Sequence, residues 1–220
     1  MQRIYRFAAG LALCLSLAAL LWDSHGAQAQ LAAYDVRANY TKSEHQIPMR
    51  DGKRLFTVVY APKDTSQKYP FLMERTPYSA GPYGAENYKR GLGPNHRFAP
   101  EGYIFVYQDV RGTFMSEGEF DDVRPFNANK KTPTDIDEAS DTYDTVEWLL
   151  KNIPNHNGRL GAYGISYPGF YTTMTALADH PAIKAVSPQA PVTNWFIGDD
   201  DHRNGALFLF DAFGFNMTFG

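Results

Sequence analysis

The sequence predicts an α/β fold with a mostly parallel sheet that begins with an antiparallel hairpin. Three observations predict it. From residue 69 onward, short apolar segments rich in aromatic and β-branched residues alternate with helical patterns, as in a parallel sheet covered by helices. Before them, an Asp-Gly pair favours a tight turn between two strand-like segments. The 220 residues are 44% hydrophobic and 20% charged, which suits a chain with one sizeable core.

The first 29 residues are interpreted as a secretory signal peptide. Arg3 and Arg6 precede an apolar run over residues 7–21, and Ala27-Gln28-Ala29 has the small-residue spacing of a cleavage site. The run is short for a membrane span, although an uncleaved anchor is the alternative. We therefore expect an exported protein, periplasmic or secreted. Cleavage of the signal peptide would remove Cys14, the single cysteine. The mature protein would then have no disulfide and no thiol chemistry.

The first half of the mature chain predicts an arm, a hairpin and two buried strands. Tyr34–Glu44 is polar and predicts an extended arm, whereas His45–Tyr60 predicts two strands joined at Asp51-Gly52. Aromatic and β-branched residues predict buried strands at Tyr69–Glu74 and Tyr103–Gln108. The Gly- and Pro-rich stretch between these two strands predicts a loop.

The second half predicts helices that alternate with short strands. Apolar residues recur at helical spacing over Asp135–Asn152, and the acidic residues of its first turns suit the positive end of a helix dipole. Strands are predicted at Leu160–Tyr163 and Ile183–Val186, with a helix at Pro168–Ala178 between them.

A candidate nucleophile lies where a predicted strand passes into a helix. A serine hydroxyl attacks well only when a sharp strand-to-helix turn exposes it and a base activates it. Gly164 leaves room beside Ser166, and Pro168 fits the first turn of the following helix. The elbow motif G-x-S-x-G is altered, because the second glycine comes one place late, at Gly169. The alternative is that Ser166 only caps the helix.

Four stretches, in this order, resemble motifs of a known family. They are Arg75-Thr76-Pro77-Tyr78; Gln108-Asp109-Val110-Arg111-Gly112 with Ser116-Glu117-Gly118; Gly164, Ser166, Tyr167 and Gly169; and Trp195–Asp200 with Asn204-Gly205-Ala206. They resemble the family of α-amino acid ester hydrolases, cocaine esterase and Xaa-Pro dipeptidyl-peptidase-like serine hydrolases. The resemblance implies an α/β-hydrolase fold that is incomplete in this chain. Residues 30–220 would be the N-terminal part of that domain and would end near the start of a cap region.

The resemblance also implies roles for single residues. Ser166 would be the nucleophile and would form an acyl-enzyme. The backbone N–H of Tyr167, restricted by the proline that follows it, and the Tyr78 hydroxyl would hold the oxyanion. Asp200 would bind the substrate's α-ammonium group, as in the amino-ester branch. The alternatives are a surface-loop tyrosine at position 78 and a solvated acidic turn at Asp199–Asp201.

Other candidate groups are given no part in the chemistry. Asp109 and Arg111 are predicted to form a structural pair after a strand. The six histidines show no metal-ligand spacing, and no cofactor is implied. Neither His180 nor His202 follows enough predicted sheet to be a triad base. We therefore expect the catalytic histidine and carboxylate to lie beyond this chain, and this piece alone to lack esterase activity.

The sequence thus predicts an exported serine hydrolase that cleaves esters or amides of α-amino acids or short peptides. A Xaa-Pro dipeptidyl peptidase and a general carboxylesterase are alternatives, and a non-catalytic binding module is the alternative of another class. The expected partner is a small-molecule substrate. The net charge of -3 and the lack of a basic run argue against nucleic acid. No membrane contact is expected after signal cleavage. The sequence does not determine the oligomeric state, and a homo-oligomer is one possibility.

Overall fold

The computed structural model describes residues 34–194, 196–198 and 201–219. The predictions for the signal peptide, Trp195, Asp199 and Asp200 fall outside these residues.

A six-stranded sheet forms the centre of the described fold. Its strands are β1 (Tyr40–Pro48), β2 (Arg54–Pro62), β3 (Tyr69–Thr76), β4 (Ile104–Asp109), β5 (His156–Ile165) and β6 (Ile183–Gln189). Their order across the sheet is β1-β2-β4-β3-β5-β6, in which β1 and β2 are antiparallel to their neighbours and the other pairings are parallel. The predicted α/β class, hairpin and parallel sheet are confirmed. The carboxyl ends of β3, β4 and β5 meet at one edge of the sheet, which is where ligands bind in open α/β folds.

Helices lie before, between and after the strands. They are α1 (Val36–Asn39), α2 (Phe98–Glu101), α3 (Glu138–Asn152), α4 (Tyr167–Leu177) and α5 (Leu209–Phe219), and a two-stranded ribbon joins β7 (His202–Arg203) to β8 (Ala206–Leu207). Over the residues that the structure describes, no helix has the length and apolar character needed to cross a bilayer.

The predicted extended arm at Tyr34–Glu44 is wrong in part. Asp35 caps the short helix α1 by accepting the Ala38 N–H at 2.9 Å, and β1 then begins at Tyr40. The charge of Lys42 contributes to the polar character of this segment, but the Lys42 side chain is buried. Its ammonium binds Glu44 at 2.7 Å and three backbone carbonyls of the loop over residues 82–87, and these contacts replace its water.

The long helix α3 begins later than predicted, at Glu138 rather than at Asp135. Asp137 is its N-cap, where the carboxylate accepts the Ser140 N–H at 2.8 Å and the Ser140 hydroxyl accepts the Asp137 N–H. Asp135 closes the preceding turn instead, by accepting the N–H groups of residues 131 and 132. Aspartate carboxylates accept hydrogen bonds from the free N–H groups at the start of a turn or helix, so Asp135 and Asp137 lie before α3 rather than in it.

Two clusters of apolar side chains hold the helices to the sheet. On α3, Val146 and Leu149 pack with Met73 and Val106 of the central strands. A second cluster surrounds α4 and includes Val110, Tyr167, Phe170, Tyr171 and Met174. This second cluster fixes the start of α4 against the end of β4, and so fixes the elbow.

A buried polar network lies beneath the carboxyl edge of the sheet. The Arg75 guanidinium donates to the Gln108 side-chain oxygen at 2.7 Å and to the Glu138 carbonyl at 2.8 Å, and it pairs with the Glu138 carboxylate at 3.0 Å. The Gln108 amide in turn donates to the hydroxyls of Thr57 and Thr145. This network ties the ends of β3 and β4 to α3 and gives a rigid base to the loops that follow.

Candidate active site

Ser166 occupies a sharp turn between β5 and α4. Its backbone has φ +62° and ψ -123°, a conformation that residues with a side chain rarely adopt and that is often found at functional sites. The Ser166 N–H donates to the carbonyl of Gln189 at 2.9 Å, and its own carbonyl accepts from Phe170 at 3.1 Å. The residue is exposed, and its side chain makes no capping hydrogen bond. The helix-cap alternative is therefore wrong.

The late glycine of the motif has a steric reason. A Cβ on Gly169 would lie 2.4 Å from the carbonyl oxygen of Gln189, because α4 crosses directly over β6. A Cβ on Gly164 would lie 2.1 Å from the carbonyl oxygen of Pro168, because the chain folds back on itself at the turn. Both glycines allow close backbone packing on either side of Ser166, as predicted.

Tyr78 lies in the loop after β3, and its phenol is near the Ser166 hydroxyl. Its N–H donates to the Thr76 hydroxyl at 2.9 Å, and its ring meets the Tyr167 ring edge-on, with centroids 6.3 Å apart. The side chain is half exposed, as expected for a surface loop. Burial, with a smaller effect from the Asp122 charge, raises the pKa of the phenol, so it keeps its proton and can donate.

Tyr167 is the first residue of α4, so its backbone N–H has no acceptor within the helix. Such groups are available to a developing oxyanion. The Tyr167 ring is buried and stacks on Tyr171 with centroids 5.2 Å apart. Its hydroxyl donates to the Asp122 carboxylate and accepts the Val123 N–H at 2.8 Å. The side chain thus anchors the loop at residues 122–123 beside the serine.

The loop contact with Asp122 was not predicted from the sequence. Asp122 is exposed and brings a carboxylate close to both Tyr78 and Tyr167, whose phenol pKa values its charge helps to raise. Asp122 and Tyr167 are 45 residues apart in the chain, so neither local spacing nor helical periodicity links them. The only sequence signal is an acidic pair that follows the Ser-Glu-Gly motif.

Asp109 and Arg111 both have structural partners, as predicted, but they do not pair with each other. Arg111 forms a two-pronged ion pair with Asp141, with distances of 2.6 and 2.9 Å, and also binds Asp51 at 2.7 Å. The Asp109 carboxylate instead faces the loop that follows Tyr78 and accepts the Ala80 N–H at 2.6 Å. The prediction paired Asp109 with Arg111 because the sequence shows only which residues are neighbours in the chain. The actual partners of both side chains are distant in the sequence.

His180 is not available as a base for Ser166. The His180 ring is buried, with one nitrogen 2.8 Å from the Glu147 carboxylate and the other accepting the Ala182 N–H at 3.0 Å. Both ring nitrogens are therefore occupied by structural contacts. His202 lies in the ribbon strand β7, where its ring contacts Phe196. Asp200, proposed for the substrate's ammonium group, lies outside the described residues. Among the positions that the structure covers, no three His, Cys, Asp or Glu side chains are grouped to hold a metal ion.

Comparisons with known proteins identify the family. Residues 51–218 match the family described as X-Pro dipeptidyl-peptidase (S15 family). Cocaine esterase of Rhodococcus sp. (strain MB1 Bresler) is 29% identical over 186 residues, which are 84% of this chain and 30% of that protein. An aminopeptidase from the marine sediment archaeon Thaumarchaeota archaeon is 40% identical with a TM-score of 0.66, over 74% of this chain and 27% of that one.

An α-amino acid ester hydrolase of known structure is 38% identical with a TM-score of 0.66, over 77% of this chain and 28% of that one. The chain thus spans less than a third of the length of each of these relatives. Within that span the sheet is that of an α/β hydrolase, of which this chain holds part. Because the family match covers most of the chain, the chain belongs to the X-Pro dipeptidyl-peptidase (S15) family of hydrolases.

Proposed function

We propose that this chain carries the nucleophile and the oxyanion site of a serine hydrolase that acts on esters or amides of α-amino acids or short peptides. One observation carries the proposal: Ser166 is held at positive φ on an exposed turn between a strand and a helix, with the Tyr78 phenol near its hydroxyl. A serine that served only the fold would gain nothing from this strained backbone.

In the proposed reaction the Ser166 oxygen attacks the substrate carbonyl carbon, and the carbonyl π electrons move to its oxygen. The Tyr78 hydroxyl and the Tyr167 N–H would donate to that oxyanion, since the phenol lies near Ser166 and the N–H, at the first residue of α4, has no acceptor within the helix. The C–O or C–N bond to the leaving group then breaks, which leaves an acyl-enzyme that water hydrolyses. The base that accepts the serine proton would be a histidine oriented by a carboxylate, and His180 is excluded by its contacts.

A free amine on the substrate is the proposed recognition feature. The acidic turn at residues 199–201 supports it, with Asp200 as the ammonium ligand, because adjacent carboxylates are best stabilised by a cation. The names of two relatives, an aminopeptidase and an α-amino acid ester hydrolase, point the same way. A Xaa-Pro dipeptidyl peptidase also binds a free amine, whereas a general carboxylesterase does not need one. We further propose export through residues 1–29, with the hydrolase domain beginning at residue 30.

The test is labelling of the full-length protein with a fluorophosphonate, which modifies only an activated serine. We expect Ser166→Ala to abolish labelling. Ser187→Ala, at an exposed serine on the adjacent strand β6, should leave it unchanged. No labelling of the folded wild-type protein would favour the binding-module alternative.

Substrate class is tested separately, by comparing turnover of an amino acid ester with that of its N-acylated analogue. We expect the free amine to be preferred. Equal turnover would support a general carboxylesterase, and selective cleavage of peptides after a penultimate proline would support a dipeptidyl peptidase.

A further inference from the structure

Asp109 is the last residue of β4 and lies in register with Thr76, the last residue of β3. Its carboxylate is completely buried and faces the stretch of chain that follows Tyr78. A buried carboxylate is costly unless hydrogen-bond donors surround it, so its partners show what it holds in place.

The donors to Asp109 all belong to loops at the candidate active site. One carboxylate oxygen accepts the Ala80 N–H at 2.6 Å, and the other accepts the Tyr83 hydroxyl at 3.0 Å and the Met115 N–H at 3.3 Å. Ala80 is two residues after Tyr78. The backbone of Tyr78 is therefore fixed on one side by the Thr76 hydroxyl and on the other by Asp109.

The residue between these two anchors is strained. Ser79 has φ +93°, which is unfavourable for a residue with a side chain and persists only where its surroundings enforce it. Its hydroxyl donates to the Tyr83 oxygen at 2.9 Å and accepts the Gly81 N–H at 3.0 Å. The Tyr83 hydroxyl in turn donates a hydrogen bond to Asp109, so the carboxylate holds Ser79 both through Ala80 and through Tyr83.

We propose that Asp109, acting through Ala80 and Tyr83, is a positioning residue that places the Tyr78 side chain against the Tyr167 ring and so beside Ser166. Without this carboxylate the loop would relax toward negative φ at Ser79 and move the phenol off the serine. A displacement of about 1 Å at a catalytic group can cost on the order of a hundredfold in rate. The catalytic consequence rests on the proposed function, whereas the placement of Tyr78 does not.

The kinetic test is a double-mutant cycle in the full-length protein. Asp109→Asn keeps the shape of the side chain but replaces one carboxylate oxygen with an NH2 group, which cannot accept a hydrogen bond. Tyr83→Phe removes only the bridging hydroxyl. We expect Asp109→Asn to lower kcat by about 10- to 100-fold with KM changed by less than about twofold, since the phenol matters most in the transition state. In the Tyr78→Phe background the same substitution should cost less than about twofold, because the group it positions is already gone.

A purely structural role for Asp109 predicts a different pattern. The loss of kcat caused by Asp109→Asn would then multiply with the loss caused by Tyr78→Phe. The two effects would be fully additive in free energy, and that result would overturn the proposal. Asp51→Asn is the matched control, since it weakens a carboxylate's ion pair with Arg111 without touching the Tyr78 loop. Its effect should be the same in both backgrounds. If Asp109→Asn fails to fold, Tyr83→Phe takes its place in the cycle, with a smaller expected loss.

A second readout needs no activity. In protein labelled with ¹³Cζ-tyrosine, the Tyr78 signal is identified by its loss in Tyr78→Phe. We expect this signal to shift in Asp109→Asn and Tyr83→Phe but not in Asp51→Asn. An unmoved Tyr78 signal in the first two variants would overturn the proposal. If the wild-type protein does not react with a fluorophosphonate, the proposed function fails, and the NMR comparison still decides whether Asp109 places Tyr78.

Discussion

Gly169 lies directly against the carbonyl oxygen of Gln189, so close that a Cβ on the glycine would lie 2.4 Å from that oxygen. The same Gln189 carbonyl accepts the Ser166 N–H at 2.9 Å. The end of β6 therefore fixes both the nucleophile turn and the helix that follows it. The late glycine in this elbow is explained by the crossing of α4 over β6.

Gly169→Ala should accordingly disturb both the fold and the turn. The added methyl group must push α4 away from β6, and overpacking of this kind costs about 1–3 kcal/mol. We expect a lower free energy of unfolding by urea denaturation and slower fluorophosphonate labelling of Ser166. Gly91→Ala is the control, since a Cβ there meets nothing within 4 Å and Gly91 has no positive φ. Equal stability of the two variants would show that α4 can move away from β6 at little cost.

Ser166→Gly should stabilise the protein while abolishing the proposed chemistry. Glycine adopts φ +62° with little strain, and relief of a strained residue is worth about 1–3 kcal/mol, less roughly 0.5–1 kcal/mol for the extra freedom of the unfolded chain. The comparison is with Ser166→Ala, which also loses the hydroxyl but keeps a Cβ. We expect a higher melting temperature for the glycine variant, and identical melting temperatures would mean that the turn stores no strain.

The strands and the elbow could be predicted because their signals are local. Aromatic and β-branched runs predicted β3 and β4, and the glycines around Ser166 predicted the turn. The contacts that complete the site are long-range: the Ala80 N–H reaches a carboxylate 29 residues away, and the Tyr167 hydroxyl reaches one 45 residues away. The burial of Lys42 was not predicted for the same reason. A lysine is expected to be exposed unless acceptors surround its ammonium group, and here the acceptors are carbonyls about 40 residues away in the chain.

Helix α3 shows the same limit. Its apolar positions were found by periodicity, but it also buries Asp141, Thr142 and Thr145. These side chains face the guanidinium groups of Arg75 and Arg111 or the Gln108 amide. A hydrophobic pattern marks only one kind of buried face, so a polar face that is satisfied from distant strands leaves no periodic signal.

Arg75→Met should destabilise the protein strongly. Arg75 is 2% exposed and pairs with the buried Glu138 carboxylate at 3.0 Å, so its removal leaves that carboxylate with only a longer ion pair, to Arg124 at 4.0 Å. Breaking such a pair from one side costs about 3–5 kcal/mol. Arg54→Met, which breaks the exposed pair with Glu117, should cost far less, because water screens the attraction between exposed charges. Urea denaturation of both variants measures the difference, and a similar small loss in each would contradict the role given to the buried network.

Glu74 makes stability depend on pH. This half-buried side chain on β3 accepts the Tyr163 hydroxyl at 3.0 Å. Burial raises the pKa of its carboxyl, an effect that the Tyr163 bond and the Lys89 charge only partly offset. A group with a folded-state pKa above its unfolded value binds its proton more tightly when folded. Its contribution to stability is therefore complete below the unfolded pKa and is lost as the pH rises through the folded pKa.

Glu74→Gln should remove this dependence, because an amide stays neutral and can still accept from Tyr163. We expect the variant to gain stability over the wild type between pH 4 and pH 8, with the difference growing as the pH rises. The measurement is the free energy of unfolding by urea at each pH. Glu101→Gln, at an exposed glutamate, corrects for the loss of one negative charge. A difference that shrinks toward pH 8 would mean that the folded protein favours the ionised carboxylate, with Lys89 rather than burial controlling its pKa.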